Sequence, residues 1–188
     1  MKPSSLLTSY TMIVGVSSAC FLPLMGAIVD YTPHRLLVGQ VSSLIFTALI
    51  FPQIFLNEDN FFAMAIIQVV VSFVGWAQTA VTYAYLPELT DDELVLNEYT
   101  KSFTIASFLS MVIYLGVVIG GVSVAGRGDD DLLTSKVGMS VAFVVNIFLL
   151  TAAWGLLFDK RDRMHELPSD RSLWTAGFIQ LYHTGKHI

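Results

Sequence analysis

Five stretches of this chain, 3–29, 36–57, 60–87, 102–126 and 137–158, contain no Asp, Glu, Lys or Arg. A helix needs about 20 apolar residues to cross a hydrocarbon layer about 30 Å thick, and the shortest stretch here has 22 residues. A water-soluble helix of that length needs a polar face, which these stretches lack. The expected fold is therefore all-α, a multi-span membrane helical bundle. Its five transmembrane helices are placed at about 5–29, 36–56, 61–86, 102–125 and 137–158, and 159–188 follow as a linker. Only 13% of the 188 residues are charged, about half the ~25% usual in soluble domains.

The net charge of −5 comes mainly from two connections, one with Glu88, Asp91, Asp92, Glu93 and Glu98, the other with Asp129, Asp130 and Asp131. No basic patch suited to neutralising phosphates is present, which argues against nucleic acid as a partner. The bilayer is the first partner implied. Cys20 is the sole cysteine, so an intrachain disulfide and a cysteine metal cluster are both excluded. The first stretch is longer than the 7–15 apolar residues of a secretory signal and reads as a span.

Basic residues near span ends are retained on the cytoplasmic side. With five spans, Arg35, Lys101, Lys160, Arg161, Arg163, Arg171 and Lys186 fall on one side, seven of the ten, against Lys2, Arg127 and Lys136 on the other. The tail is expected to be cytoplasmic and the N-terminus to lie on the far side. Turn chemistry agrees: Asp30-Tyr31-Thr32-Pro33 ends the first span and Asn57-Glu58-Asp59-Asn60 forms a polar hairpin. Thr90-Asp91-Asp92-Glu93 has the form of a capping box, predicting a short helix that leads to the fourth span. Pro23 and Pro52 are expected to kink their spans. After Pro168, capped by Ser169 or Asp170, the i, i+4, i+7 spacing of Trp174, Phe178 and Leu181 predicts an amphipathic helix on the membrane surface, the alternative being a flexible linker.

Hydrolytic chemistry within a membrane needs buried Ser/His, paired Asp or His/Glu clusters, yet all four histidines lie outside the spans. The His183/His187 pair lacks a metalloprotease context. No enzyme activity, metal or cofactor is expected. Polar residues nevertheless fall on single helix faces: Gln68, Ser72, Gly75, Thr79 and Thr82 in the third span, and Ser4, Thr8, Thr11, Gly15 and Ser18 in the first. Such stripes serve either as packing seams, where Ser/Thr contacts contribute ~0.6–2 kcal/mol each, or as the lining of a water-filled path. On the second reading Gln68, Gln78, Thr79 and Asn146 are the translocation residues. Gly116 and Gly120 form a GxxxG face that predicts close packing of the fourth span.

Two segments carry a family resemblance. Gly26-Ala27-Ile28-Val29-Asp30-Tyr31-Thr32-Pro33-His34-Arg35 resembles the signature loop of the major facilitator superfamily, matching it at Gly26, Asp30 and Arg35 and departing from it at Tyr31, Pro33 and His34. Gly26 permits close helix approach, while Asp30 can face a helix N-terminus or a guanidinium and hold one side of the bundle shut. Tyr83-Ala84-Tyr85-Leu86-Pro87-Glu88-Leu89 is similar to an element of the autophagy-related vacuolar amino-acid effluxer branch, as is Ser172–Phe178. The fourth span departs from bacterial relatives of that branch, reading Ser102-Phe103-Thr104-Ile105-Ala106 in place of a glycine-rich start.

The resemblance implies a secondary transporter that exports amino acids across the vacuolar membrane by alternating access. Gly26, Asp30, Arg35, Tyr85, Pro87 and Glu88 would then serve a cytoplasmic gate. It aligns the chain with spans two to six and the central linker of a twelve-span transporter, an incomplete N-terminal half whose solute site forms against helices missing here. A multi-span scaffold or a degenerate transporter copy is the competing expectation.

Overall fold

The computed structural model describes residues 3–86, 89–90, 92–125, 130–160, 167 and 172–186. Every regular element among them is helical. Helix α1 spans Pro3–Tyr31, α2 Arg35–Ile50, α3 Phe61–Tyr83, α4 Glu93–Val124, α5 Asp131–Ala152 and α6 Leu173–Lys186. The first five, with the short turns that extend α2 and α5, are long and apolar enough to cross a membrane. The chain is a multi-pass membrane protein.

The helix ends follow local chemistry. Asn57 and Asn60 close the α2–α3 hairpin reciprocally, each backbone N–H donating to the other's Oδ1 at 2.8 Å. At Asp92 the carboxylate accepts from the Leu94 N–H at 2.9 Å and starts α4, and Asp130 does the same for α5 through the Leu133 N–H at 2.9 Å. The capping box anticipated at Thr90–Glu93 is thus replaced by a cap at Asp92, and among the described residues there is no separate short helix. Nothing between Glu93 and Tyr114 is Gly or Pro, so the polar turn and the span propagate as one helix of 32 residues, about 48 Å long at 1.5 Å per residue. Removing the cap with Asp92→Ala is expected to cost about 1 kcal/mol; hydrogen exchange in the first turn of α4 should rise in that variant and stay near the parent in Asp92→Asn.

The two prolines act differently. α1 runs through Pro23 as continuous helix. At Pro52 the α-helix stops and a 3₁₀ turn, Phe51–Phe55, takes over, with the buried Gln53 side chain donating to the Leu49 carbonyl at 3.1 Å. A side-chain donor thereby satisfies a carbonyl at the point where proline interrupts the ladder. At the far end of α5, Ala153–Leu157 form a π turn, closed by the Phe158 N–H on the Ala153 carbonyl at 3.0 Å.

Packing places α3 against α1 and α2, α2 also against α5, α4 against α5, and α6 against α1. Glycines decide where helices approach most closely, and not at the positions the sequence suggested. A Cβ at Gly26, Gly116 or Gly120 would meet open space within 4 Å, so neither the loop glycine nor the GxxxG face makes a close contact among the described residues. The tight places are Gly39, whose Cβ would fall within the Trp154 indole, and Gly177, whose Cβ would overlap the Pro23 carbonyl. α6 therefore lies on α1 through Ala176 and Gly177, with Phe178 and Tyr182 exposed. The Trp174 and Leu181 side chains and residues 168–170 lie outside the described set.

Candidate functional site

Helix ends converge where α1 and α3 finish and α2 begins. Arg35 opens α2 and is fully buried, with 0% exposure. Its Nε donates to the Val29 carbonyl of α1 at 3.1 Å and Nη1 to the Ala84 carbonyl after α3 at 3.4 Å. The last carbonyls of a helix lack intrahelical donors and form the negative end of its dipole. One guanidinium thus caps two helices at once, and its fork geometry suits that task. The cation also lies over the Tyr85 ring, 5.5 Å from its centroid, within the range of a cation–π contact.

Aromatic side chains extend this knot to α5. Tyr85, 7% exposed, packs its ring 4.8 Å from Phe158, and Phe158 stacks on Trp154 at 4.4 Å. The Tyr85 hydroxyl donates to the Asp159 carbonyl at 3.3 Å. Val29, Val81, Tyr85 and Trp154 form a buried apolar cluster, and the partly buried Phe158 packs against it. Of the anticipated gate residues, Arg35 and Tyr85 meet directly. Asp30 lies half-buried in the last turn of α1, Gly26 one turn earlier makes no close approach, and Pro87 and Glu88 lie outside the described residues. Trp154 and Phe158 were not singled out by sequence; aromatic residues at a span end were the available signal.

Further into the membrane-spanning region, a cavity of about 490 Å³ lies among α2, α3, α4 and α5. It gathers Gln78, Thr79 and Asn146, three of the four translocation candidates, with Ser72, Thr82 and the aromatic walls Phe46, Trp76 and Phe103. None of the described residues that line it is Asp, Glu, Lys, Arg or His. The Thr79 and Thr82 hydroxyls donate back to the Gly75 and Gln78 carbonyls at 2.9 and 3.0 Å, and Ser72 pairs with the Tyr10 hydroxyl. The carboxamides of Gln78, only 9% exposed, and Asn146 have no hydrogen-bond partner among the described residues. Two neutral groups, each with donors and an acceptor, therefore remain available from different helices.

Gln68 belongs elsewhere. Its backbone carbonyl accepts from the Tyr10 hydroxyl at 3.3 Å, at the α1–α3 seam, and its buried Oε1 has no partner among the described residues. It is not among the cavity's lining residues.

A family model described as vacuole effluxer Atg22-like matches residues 3–106. The chain belongs to this family. The match covers α1 to α3 and the first part of α4, and so includes the Arg35–Tyr85 contact and the α3 wall of the cavity, while Asn146, Trp154 and Phe158 lie beyond it. Comparison with curated proteins gave no match, and neither did comparison with solved structures. Membership of a vacuole effluxer family makes this a transporter-family protein, in keeping with its five apolar helices.

Proposed function

We propose that the chain forms part of a vacuolar exporter of amino acids working by alternating access on the major facilitator architecture. The observation that carries this reading is the uncharged cavity into which Gln78 and Asn146 present unpartnered carboxamides. An amino acid is net neutral but carries a carboxylate and an ammonium group. Carboxamide N–H groups suit the first and carboxamide oxygens the second, without fixing a charge inside the bilayer.

Arg35, with Tyr85 against it and Asp30 in the last turn of α1, closes the cytoplasmic end in this scheme. Drawing α1 away from α3 requires the guanidinium to release Val29 or Ala84, so opening and closing have two discrete arrangements. The orientation follows the seven-to-three excess of basic residues on the side of Arg35. Further transporter helices are the partners proposed for the open glycine face of α4, and α6 lies at the cytoplasmic membrane surface with Phe178 and Tyr182 towards the interface.

Efflux of labelled amino acids from vacuolar vesicles carrying the chain together with its partner transporter helices tests the reading. Gln78→Leu and Asn146→Leu are each expected to lower flux about 10-fold or more, since a hydrogen bond to a charged group contributes about 1.5–3 kcal/mol. Parental flux in both variants would remove the cavity from the solute path, whereas flux no greater than in vesicles without the chain would favour the scaffold reading.

A further inference from the structure

The hydroxyl groups around the Gln78–Asn146 cavity are not free donors. Serine and threonine in a membrane helix commonly donate to the carbonyl one turn earlier, and Thr79 and Thr82 do so at 2.9 and 3.0 Å. Ser72, the remaining hydroxyl among the described lining residues, is held differently. It pairs with the Tyr10 hydroxyl, which reaches it from α1, and the same Tyr10 hydroxyl lies 3.3 Å from the Gln68 carbonyl. A carbonyl oxygen only accepts and a phenol has a single proton, so the Tyr10 proton goes to Gln68. The Ser72 proton then goes to the Tyr10 oxygen. Ser72 keeps its lone pairs and has no proton left to offer.

Donors and acceptors are thereby divided within the cavity. Its hydroxyl protons are committed to the protein, while the N–H groups of the Gln78 and Asn146 carboxamides and of the Trp76 indole have no partner among the described residues. Those N–H groups suit a carboxylate. The hydroxyls of Ser72, Thr79 and Thr82, all on α3, present oxygen only, which suits an ammonium group. Thr79 is exposed and Thr82 stands next to the last residue of α3, whereas Ser72 is half-buried at the middle of the helix. Hydrogen bonds in series polarise one another, so the chain from Ser72 through Tyr10 to the Gln68 carbonyl makes the Ser72 oxygen the strongest acceptor of the three. It can meet a cation without placing a fixed charge in the bilayer.

We infer that Ser72 accepts a hydrogen bond from the ammonium group of the transported amino acid, with Tyr10 as the positioning residue that directs the serine proton away from the cavity. This rests on the transport reading above and deepens it. One end of the solute is assigned to α3, and its carboxylate is left to the carboxamide and indole N–H groups.

Competition for efflux tests it, in vacuolar vesicles carrying the chain together with its partner transporter helices. The labelled neutral amino acid with the highest parental flux is competed with its unlabelled form and with its deaminated analogue, which keeps the carboxylate and has hydrogen in place of the amino group. The half-inhibitory concentration of the analogue divided by that of the amino acid measures recognition of the ammonium group, and it does not depend on how much protein folds. Ser72→Ala should lower this ratio about 10-fold or more, by weakening the amino acid while leaving the analogue as in the parent, and Ser72→Thr should restore most of it. Tyr10→Phe should lower it about 3-fold, since Ser72 can then turn to the Gln68 carbonyl as Thr79 does to that of Gly75. Asn146→Leu should weaken both competitors alike and leave the ratio unchanged. A parental ratio in Ser72→Ala would overturn the assignment, and the flux itself would leave the transport reading standing. A lowered ratio in Ser72→Ala beside a parental one in Tyr10→Phe would overturn the role of Tyr10. Flux in the parent no greater than in vesicles without the chain would overturn the transport reading, and the assignment with it.

Discussion

Replacing Arg35 by leucine is expected to destabilise the bundle by about 2–4 kcal/mol, because a buried carbonyl and a part-buried one lose donors from a charged group. The Val29 and Ala84 carbonyls sit at the ends of α1 and α3, where no further turn of helix can supply an N–H. Burial of Arg35 prevents water from taking over. Arg35→Lys should recover only part of the loss. A single ammonium reaches one carbonyl readily, but lacks the planar fork that serves two directions while lying over Tyr85. Thermal unfolding of detergent-solubilised protein provides the measurement. A leucine variant melting with the parent would show that the guanidinium does not join the helix ends.

The second large effect is expected at Gly39. Trp154 occupies the place a Cβ would take there, and Trp154 is itself stacked on Phe158 and close to Tyr85. The indole cannot retreat without disturbing the core. Gly39→Val should therefore destabilise by about 1–3 kcal/mol through overpacking. Trp154→Ala alone should cost about 3–5 kcal/mol by leaving a cavity. The double variant should cost less than the two together, since the smaller residue at 154 makes room for the valine; a non-additivity of about 0.5–3 kcal/mol is characteristic of residues in contact. Strict additivity in denaturation of the four proteins would separate the two positions.

Both effects lie on contacts between helices, where sequence reasoning was weakest. Arg35 and Tyr85 were singled out through motif resemblance, but the motif gave no reason for Arg35 to take backbone carbonyls from two other elements. Gln78, Thr79 and Asn146 were chosen as polar residues in apolar spans, and α3 and α5 bring them into one cavity. Gln68 belongs to the same helical stripe as Ser72 and Thr79, yet it lies at the α1–α3 seam. A stripe defines a face, and one helix about 35 Å long can present that face to different neighbours along its length.

The glycines teach the same point. Gly26 and the Gly116/Gly120 pair had the local patterns associated with close approach, whereas Gly39 and Gly177 make the tight contacts. The absence of a side chain permits an approach; what arrives is set by the partner helix. Trp154 and the Pro23 backbone were not inferable from the residues surrounding those glycines.

What the sequence determined by itself is the medium and the secondary structure. Uncharged runs long enough to cross a bilayer leave helix as the economical way to satisfy the backbone in lipid, and Asn57, Asn60, Asp92 and Asp130 in the connections supply a turn and two helix caps between runs. Which helices touch, and at what register, was decided only by the tertiary structure. Within lipid the apolar faces are nearly equivalent in solvation, so hydropathy does not rank them. Shape and a few buried polar groups do: the Arg35 guanidinium across two helix ends, an indole against a glycine, and carboxamides left without partners around a cavity.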